Sequence, residues 1–180
     1  MERRCAACQR RPPPFHYARA AVRYDDVARE AVHALKFGGR RALAAPLGDL
    51  LAEISLPEAP DGGPHLVVPV PLHRRRERDR GFNQAVLLAR RLGDAWGIPV
   101  CLDALARTVE TAPQTELTAT ARRANVRDAF RLRRPELVAG RHTVLVDDIF
   151  TTGSTVSACA RRLREGGAST VGVLTVARVI

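Results

Sequence analysis

Residues 142–155 read HTVLVDDIFTTGST, an apolar run that ends in two adjacent carboxylates and continues into a turn of small polar residues. Ligands of open α/β sheets bind beyond the carboxyl ends of the strands, which is where Asp147 and Asp148 fall. Carboxylates only accept hydrogen bonds, so they suit sugar hydroxyls. The turn from Thr151 to Thr155 offers backbone N–H groups, hydroxyls and a helix N-terminus, which suit a phosphate. The stretch therefore predicts a site for a phosphorylated sugar.

The residues after this turn predict a helix and a second strand. An apolar stripe recurs at helical spacing: Val156, Cys159, Ala160 and Leu163. Gly166 and Gly167 mark the end of the helix, and the mostly apolar residues 170–179 are typical of a strand. A strand, a helix and a strand at this spacing indicate a parallel βαβ crossover.

Three other interpretations of residues 142–155 explain less. A Walker A loop has Lys after its last Gly, but Gly153 is followed by Ser154. A response-regulator receiver has its acidic pair near the start of the domain, whereas this pair lies at residues 147–148. A buried strand with a capped helix explains the apolar residues and Ser154. It does not explain two adjacent carboxylates, which repel each other unless something occupies them.

The composition limits the classes of protein. The 180 residues suffice for one domain with a small appendage, and four cysteines are too few for a disulfide framework. The chain has no apolar run of membrane-spanning length and no signal-peptide pattern, so we expect a cytoplasmic protein without membrane insertion. The net charge of +10 predicts a polyanionic ligand, either a small molecule with a pyrophosphate group or a nucleic acid.

A second candidate anion site follows another short apolar run. Residues 66–72 (LVVPVPL) predict a buried strand, and residues 73–84 (HRRRERDRGFNQ) predict an arginine-rich loop before the next helix. Guanidinium groups bind phosphate oxygens in a bidentate manner, so the loop suits a diphosphate. A basic run is more often a solvated surface, but Gly81 and the Asn83-Gln84 pair favour a loop of defined shape. That next helix carries apolar residues on one face and ends at Gly97.

Two further segments have a polar or helical character. Residues 107–117 are polar, rich in Thr and broken by Pro113, so they predict a long loop. Residues 24–39 and 43–54 predict two helices, and residues 57–64 a linker. Lys36, the single lysine of the chain, either faces the ligand or is an ordinary cation at a helix C-terminus.

Cys5 and Cys8 form one Cys-x-x-Cys pair, which is half of a zinc ribbon. A complete site needs a second pair of ligands. The pair therefore predicts, at most, a zinc half-site.

The segments VLVDDIFTTGST, VPVPL, RGFNQ and LKFGG together resemble the ComF family of type I phosphoribosyltransferases. This resemblance implies an α/β fold with a central parallel sheet flanked by helices and a small N-terminal hood. It implies a zinc-ribbon-like segment at residues 1–20, a hood at residues 21–64 and a core that binds phosphoribosyl pyrophosphate (PRPP) at residues 65–180. The family often carries two Cys-x-x-Cys pairs, of which Cys5 and Cys8 match the later one.

The resemblance also implies a role for each candidate residue. Asp147 and Asp148 are the expected catalytic residues and bind the ribose hydroxyls. No residue stands out as a general base; Asp148 is a candidate on which the sequence does not decide. The 5′-phosphate is expected on Thr151, Thr152, Gly153, Ser154 and Thr155. The pyrophosphate is expected on His73, Arg74 and Arg75, and the closing lid on Arg107, Gln114, Arg122 and Asn125.

The activity implied is transfer of phosphoribosyl from PRPP to an acceptor, with Mg²⁺ bound and pyrophosphate released. The alternative is a non-catalytic protein that senses PRPP or handles single-stranded DNA with other competence proteins in natural transformation. The positive net charge fits both hypotheses.

Overall fold

The computed structural model describes residues 9–10, 12–59, 62–109 and 128–180. Its strands are β1 (Tyr17–Arg23), β2 (Leu66–Pro69), β3 (Leu105–Arg107), β4 (Phe130–Leu132), β5 (His142–Phe150) and β6 (Thr170–Arg178). Its helices are α1 (Asp26–Phe37), α2 (Ala44–Ala52), α3 (Arg74–Arg80), α4 (Gln84–Trp96), α5 (Pro135–Val138) and α6 (Ser154–Glu165), with a 3₁₀ turn at Arg41–Leu43. None of these helices is long and apolar enough to cross a membrane.

Four of the strands form one parallel sheet in the order β1-β6-β5-β2. The two central strands, β5 and β6, are buried along most of their length, which is typical of a parallel sheet with both faces covered. Because all four strands run the same way, their carboxyl ends meet at one edge. The predicted βαβ unit and the predicted α/β class are therefore confirmed.

Helices cover both faces of this sheet. On one face, α1, α2 and α4 contribute buried side chains that include Leu35, Leu51 and Leu88. On the other face, α6 and the short β3–β4 hairpin pack Leu163 and Phe130 against the sheet. The stripe predicted for α6 is confirmed, because its four apolar residues are all buried.

The structure corrects two sequence-based expectations. The arginine-rich loop is a helix, α3, because Arg and Glu are good helix formers and Gly81, at φ +80°, supplies the left-handed C-terminal cap. Arg107 was expected in a loop, but it ends β3 and pairs with Phe130 of β4. Strands of three residues are too short to show a periodic pattern.

The expected division into segments 1–20, 21–64 and 65–180 stays a prediction. Strand β1 extends across the first of these boundaries and joins the main sheet beside β6.

Candidate functional site

The carboxyl edge of the sheet holds a cavity of about 190 Å³ beside the end of β5. Its lining consists of Lys36 and the unbroken segment of residues 147–156. The structure therefore brings Asp147, Asp148 and the turn residues Thr151–Thr155 around one space, as the sequence predicts for a ribose and its phosphate.

The turn at the floor of this cavity requires glycine at one position. Gly153 has φ +72°, and a Cβ atom there would lie 2.7 Å from Cζ of the Phe150 ring. Next to it, the Thr152 and Ser154 hydroxyl oxygens are 2.8 Å apart. Helix α6 begins at Ser154, so its first N–H groups and the positive end of its dipole lie at the turn. This arrangement suits an anion.

The two carboxylates of the site differ in their surroundings. The Asp148 side chain is only 6% exposed, and its backbone N–H donates to Oδ1 of Asp147 at 2.9 Å. Burial, and then the charge of Asp148, raise the pKa of Asp147 well above its usual range. A buried and a half-buried carboxylate are thus held side by side, at a cost in folding free energy.

Two cations from different elements flank Asp148. The Lys36 ammonium, at the end of α1, forms an ion pair with the Asp148 carboxylate, so Lys36 faces the cavity. Arg80, at the end of α3, donates to Oε1 of Gln84 and lies 4.9 Å from the centre of the Phe37 ring. Burial lowers the pKa of Arg80, and the Asp148 carboxylate opposes that shift. Sequence reasoning missed Arg80, and its position beside Gly81 was the available signal.

The residues expected to bind pyrophosphate lie away from this first cavity. His73 and Arg74 line a second, larger space of about 450 Å³ together with Arg107. Arg74 and Arg75 are both exposed at the start of α3, and Arg75 is in the lining of neither cavity. The structure therefore separates the expected pyrophosphate residues from the ribose residues.

Arg107 connects the two spaces electrostatically. Burial, and then the charge of Arg76, lower the pKa of Arg107, while Cys159 and Asp147 oppose that shift. The Arg107 guanidinium lies 5.5 Å from the centre of the Phe130 ring, which helps to fix it. Asp147 of the first cavity thus acts on a cation of the second.

Several predicted site residues lie outside the described residues: Gln114, Arg122, Asn125, Cys5 and Cys8. In the part of the chain that the structure describes, no three His, Cys, Asp or Glu side chains cluster closely enough to hold a metal by themselves.

The sequence family that describes the phosphoribosyl transferase domain matches residues 78–179, more than half of the chain. The chain belongs to the phosphoribosyltransferase family. This phosphoribosyltransferase domain protein is 38% identical over 179 residues to the DNA utilization protein YhgH of Escherichia coli O157:H7, with 98% of this chain and 78% of the relative covered.

Two further relatives have names that refer to competence. Competence protein F of Haemophilus influenzae is 36% identical over 127 residues, which cover 70% of this phosphoribosyltransferase family member and 52% of the relative. Competence protein ComFC of Bacillus subtilis is 30% identical over 162 residues, which cover 89% of this chain and 63% of the relative. The resemblance to the ComF family is thereby confirmed.

Proposed function

We propose that this protein binds PRPP together with Mg²⁺ and transfers its phosphoribosyl group to an acceptor, with release of pyrophosphate. One observation carries the proposal. In a chain of the phosphoribosyltransferase family, two carboxylates and a helix-opening turn line the same cavity at the carboxyl edge of the sheet. A cytoplasmic location and a hood at residues 21–64 over the core at residues 65–180 are parts of the same proposal.

The ribose and its phosphate would occupy the two ends of the first cavity. Asp147 and Asp148 accept hydrogen bonds from the 2′- and 3′-hydroxyls, and the N–H groups and hydroxyls of residues 151–155 donate to the 5′-phosphate. The same carboxylates stabilise the positive charge that develops on the ribose ring as the bond to pyrophosphate breaks. This electrostatic role is what we assign to them as catalytic residues.

The acidic pair also fits a magnesium ion that arrives with PRPP. Proteins usually hold Mg²⁺ through one or two carboxylates, with phosphate oxygens and waters as the remaining ligands. Asp147 and Asp148 supply two carboxylates at the cavity, and the described residues offer no larger ligand set of their own. When bound, the ion would neutralise charge on the pyrophosphate oxygens.

The second cavity is the proposed location of the pyrophosphate group. His73, Arg74 and Arg107 line it, and Arg75 follows Arg74 on α3. Guanidinium groups there would stabilise the departing anion. The acceptor lone pair forms a bond to C1 while the bond from C1 to the pyrophosphate oxygen breaks, and that electron pair leaves with pyrophosphate. A lid that follows Arg107 and carries Gln114, Arg122 and Asn125 would exclude water from the activated sugar.

Calorimetry with PRPP and Mg²⁺ tests the binding step. We expect binding by the wild-type protein and none by Asp147→Asn/Asp148→Asn. The matched control is Asp26→Asn/Asp94→Asn, which removes the same charge from exposed positions on α1 and α4. Absence of binding to the wild type, or equal binding by the site variant, contradicts the proposal.

The transfer step needs a separate measurement. We expect the wild-type protein to release pyrophosphate from PRPP only when a suitable acceptor, from a panel of nucleobases and amines, is present. Release at the same rate from Asp147→Asn/Asp148→Asn would mean that the chemistry takes place elsewhere.

The second candidate function is PRPP sensing or handling of single-stranded DNA in natural competence, without turnover and with competence proteins as partners. The names of the relatives and the net charge of +10 favour it. Fluorescence anisotropy with a labelled single strand distinguishes the two. Tight binding that weakens steeply with salt, without pyrophosphate release from any acceptor, would support this second function. A zinc half-site at Cys5 and Cys8 stays a proposal that metal analysis of the purified protein can test.

A further inference from the structure

The single lysine of the chain lies against one of the two site carboxylates. Lys36 and Asp148 come from α1 and β5, which belong to distant parts of the sequence. Their side chains are 19% and 6% exposed, so the ion pair is largely shielded from water. A pair in this position is unlike the exposed pairs of the surface, such as Arg29 with Asp26, where the side chains are 61% and 88% exposed.

Both members of this pair are held by rigid elements. Helix α1 is anchored by Val32 and Leu35, which are 2% and 0% exposed and pack in the apolar core on that face of the sheet. Asp148 lies in β5 between two residues that are in register with β6, Asp147 and Ile149. The contact is therefore a fixed connection between the hood helix and the sheet.

The ion pair between Lys36 and Asp148 offsets the unfavourable electrostatics of the two adjacent carboxylates. Asp147 repels Asp148, and a buried carboxylate without a counter-ion is strongly disfavoured. Lys36 attracts Asp148 from the α1 side and thus opposes both effects. Arg80 reinforces the arrangement, because it is attracted by Asp148 and stacks on Phe37, the residue after Lys36.

We propose that Lys36 is a positioning residue of the PRPP site: it holds Asp148 in place for the ribose hydroxyls and fixes the end of α1 above the sugar. The inference rests on the proposed function, because it assigns Lys36 a role in binding that same ligand. Lys36 acts through Asp148, so its effect depends on the presence of that carboxylate.

Calorimetry with PRPP and Mg²⁺ on a set of Lys36 variants tests the role. We expect Lys36→Met to weaken PRPP binding about tenfold, a typical coupling for two groups in contact. Lys36→Arg keeps the charge and should restore most of the affinity. The matched control, Arg29→Met, removes one positive charge from the exposed face of the same helix and should leave the affinity unchanged.

A double-mutant cycle separates positioning from a merely structural role. In an Asp148→Asn background, Lys36→Met should change the remaining PRPP affinity by less than about twofold, because its partner is gone. An equal tenfold loss in both backgrounds would overturn the positioning role. If Lys36→Met does not fold, Lys36→Gln replaces it, with a smaller expected loss because its amide can still donate to Asp148 but carries no charge.

The outcomes distinguish this inference from the proposed function. Absence of PRPP binding by the wild-type protein overturns the proposed function and this role of Lys36 with it. Binding by the wild type together with unchanged affinity in both neutral Lys36 variants overturns the role of Lys36 alone.

Discussion

The polar side chains at the two edges of the parallel sheet differ in whether they attract or repel their neighbours. At the amino edge, His142 is 1% exposed, and its Nε2 lies 2.9 Å from the Tyr17 hydroxyl and its Nδ1 3.2 Å from the Gly62 carbonyl oxygen. Since a carbonyl only accepts, Nδ1 carries the proton and Nε2 accepts from Tyr17. The backbone N–H of His142 donates to Nδ1 of His65 at 3.0 Å.

At the carboxyl edge, two carboxylates stand side by side instead. Asp148 is buried and Asp147 half-buried, and the pKa of Asp147 rises because of desolvation and the charge of Asp148. Lys36 pairs with Asp148, but the repulsion between the two carboxylates remains, so donor groups from a ligand would stabilise the pair. The polar contacts of the amino edge thus stabilise the fold, whereas the carboxylates of the carboxyl edge destabilise it and suit the binding of a ligand.

The variant Asp147→Asn should have the largest effect: it should lower the affinity for PRPP and raise the stability of the fold. We expect PRPP affinity to fall about 100-fold, because hydrogen bonds to a charged group are lost, and calorimetry measures this. We expect the free energy of unfolding at neutral pH to rise, because Asn does not repel Asp148.

The gain in stability should depend on pH with a defined sign. A carboxyl whose pKa is raised by folding contributes its full stability at low pH and loses it as the pH rises through the folded-state pKa. The gain from Asp147→Asn should therefore be largest at neutral pH and disappear in acid. Urea unfolding at several pH values checks this, and a loss of stability at neutral pH would contradict the contrast between the edges.

His142→Ala should destabilise the amino edge of the sheet and leave the first cavity unchanged. We expect a loss of about 2–3 kcal/mol in the free energy of unfolding, because Tyr17 and the Gly62 carbonyl lose a partner and a cavity forms. PRPP affinity should stay unchanged. His33→Ala, on the exposed side of α1, is the control and should cost less than about 0.5 kcal/mol.

Gly153→Ala should damage the phosphate turn more than an equivalent change elsewhere. Gly153 and Gly97 have similar positive φ values, 72° and 65°, but only at Gly153 would a Cβ meet a neighbour, the Phe150 ring. We expect PRPP affinity to fall about tenfold in Gly153→Ala and to remain at the wild-type value in Gly97→Ala. Equal affinities in the two variants would show that the turn does not hold the phosphate.

Tyr17→Phe is the smallest of these changes. It removes the hydroxyl that donates to His142, so we expect a loss of about 1 kcal/mol in thermal or urea unfolding. Tyr24→Phe, a half-buried ring outside this cluster, is the control. A difference in PRPP affinity between the two variants would contradict the view that the amino edge contributes to stability alone.

The sequence predicted best the parts of the molecule whose signals are local. The signals for β5, its acidic end, the turn and α6 all lie within one continuous stretch of sequence. They are the apolar run, the two aspartates, Gly153 and the helical spacing of the apolar residues. The start of α3 was predicted wrongly because a run of arginines suits a solvated loop and a helix equally well. The sequence left open whether Lys36 faces the ligand and did not predict its contact with Asp148, because that contact depends on how α1 packs against the sheet.

The positions of the remaining site residues depend on tertiary structure in the same way. Arg80 lies over the Phe37 ring, where the charge of Asp148 acts on it, because α3 and α1 end next to each other. His73 and Arg107 share a cavity because they form an isolated parallel bridge, which no sequence period announces. The chemistry of one continuous stretch could therefore be predicted from the sequence, whereas the grouping of cations from distant parts of the chain could not.

The unbroken run of residues 147–156 along the first cavity has a consequence for how such a protein diversifies. One short stretch encodes ten of the eleven lining residues, so an insertion or deletion elsewhere in the chain leaves their spacing unchanged. Among the described residues, α1 contributes one residue to the lining, Lys36. The outer face of α1 can therefore vary in sequence while the surface that we assign to the ribose and its phosphate stays the same.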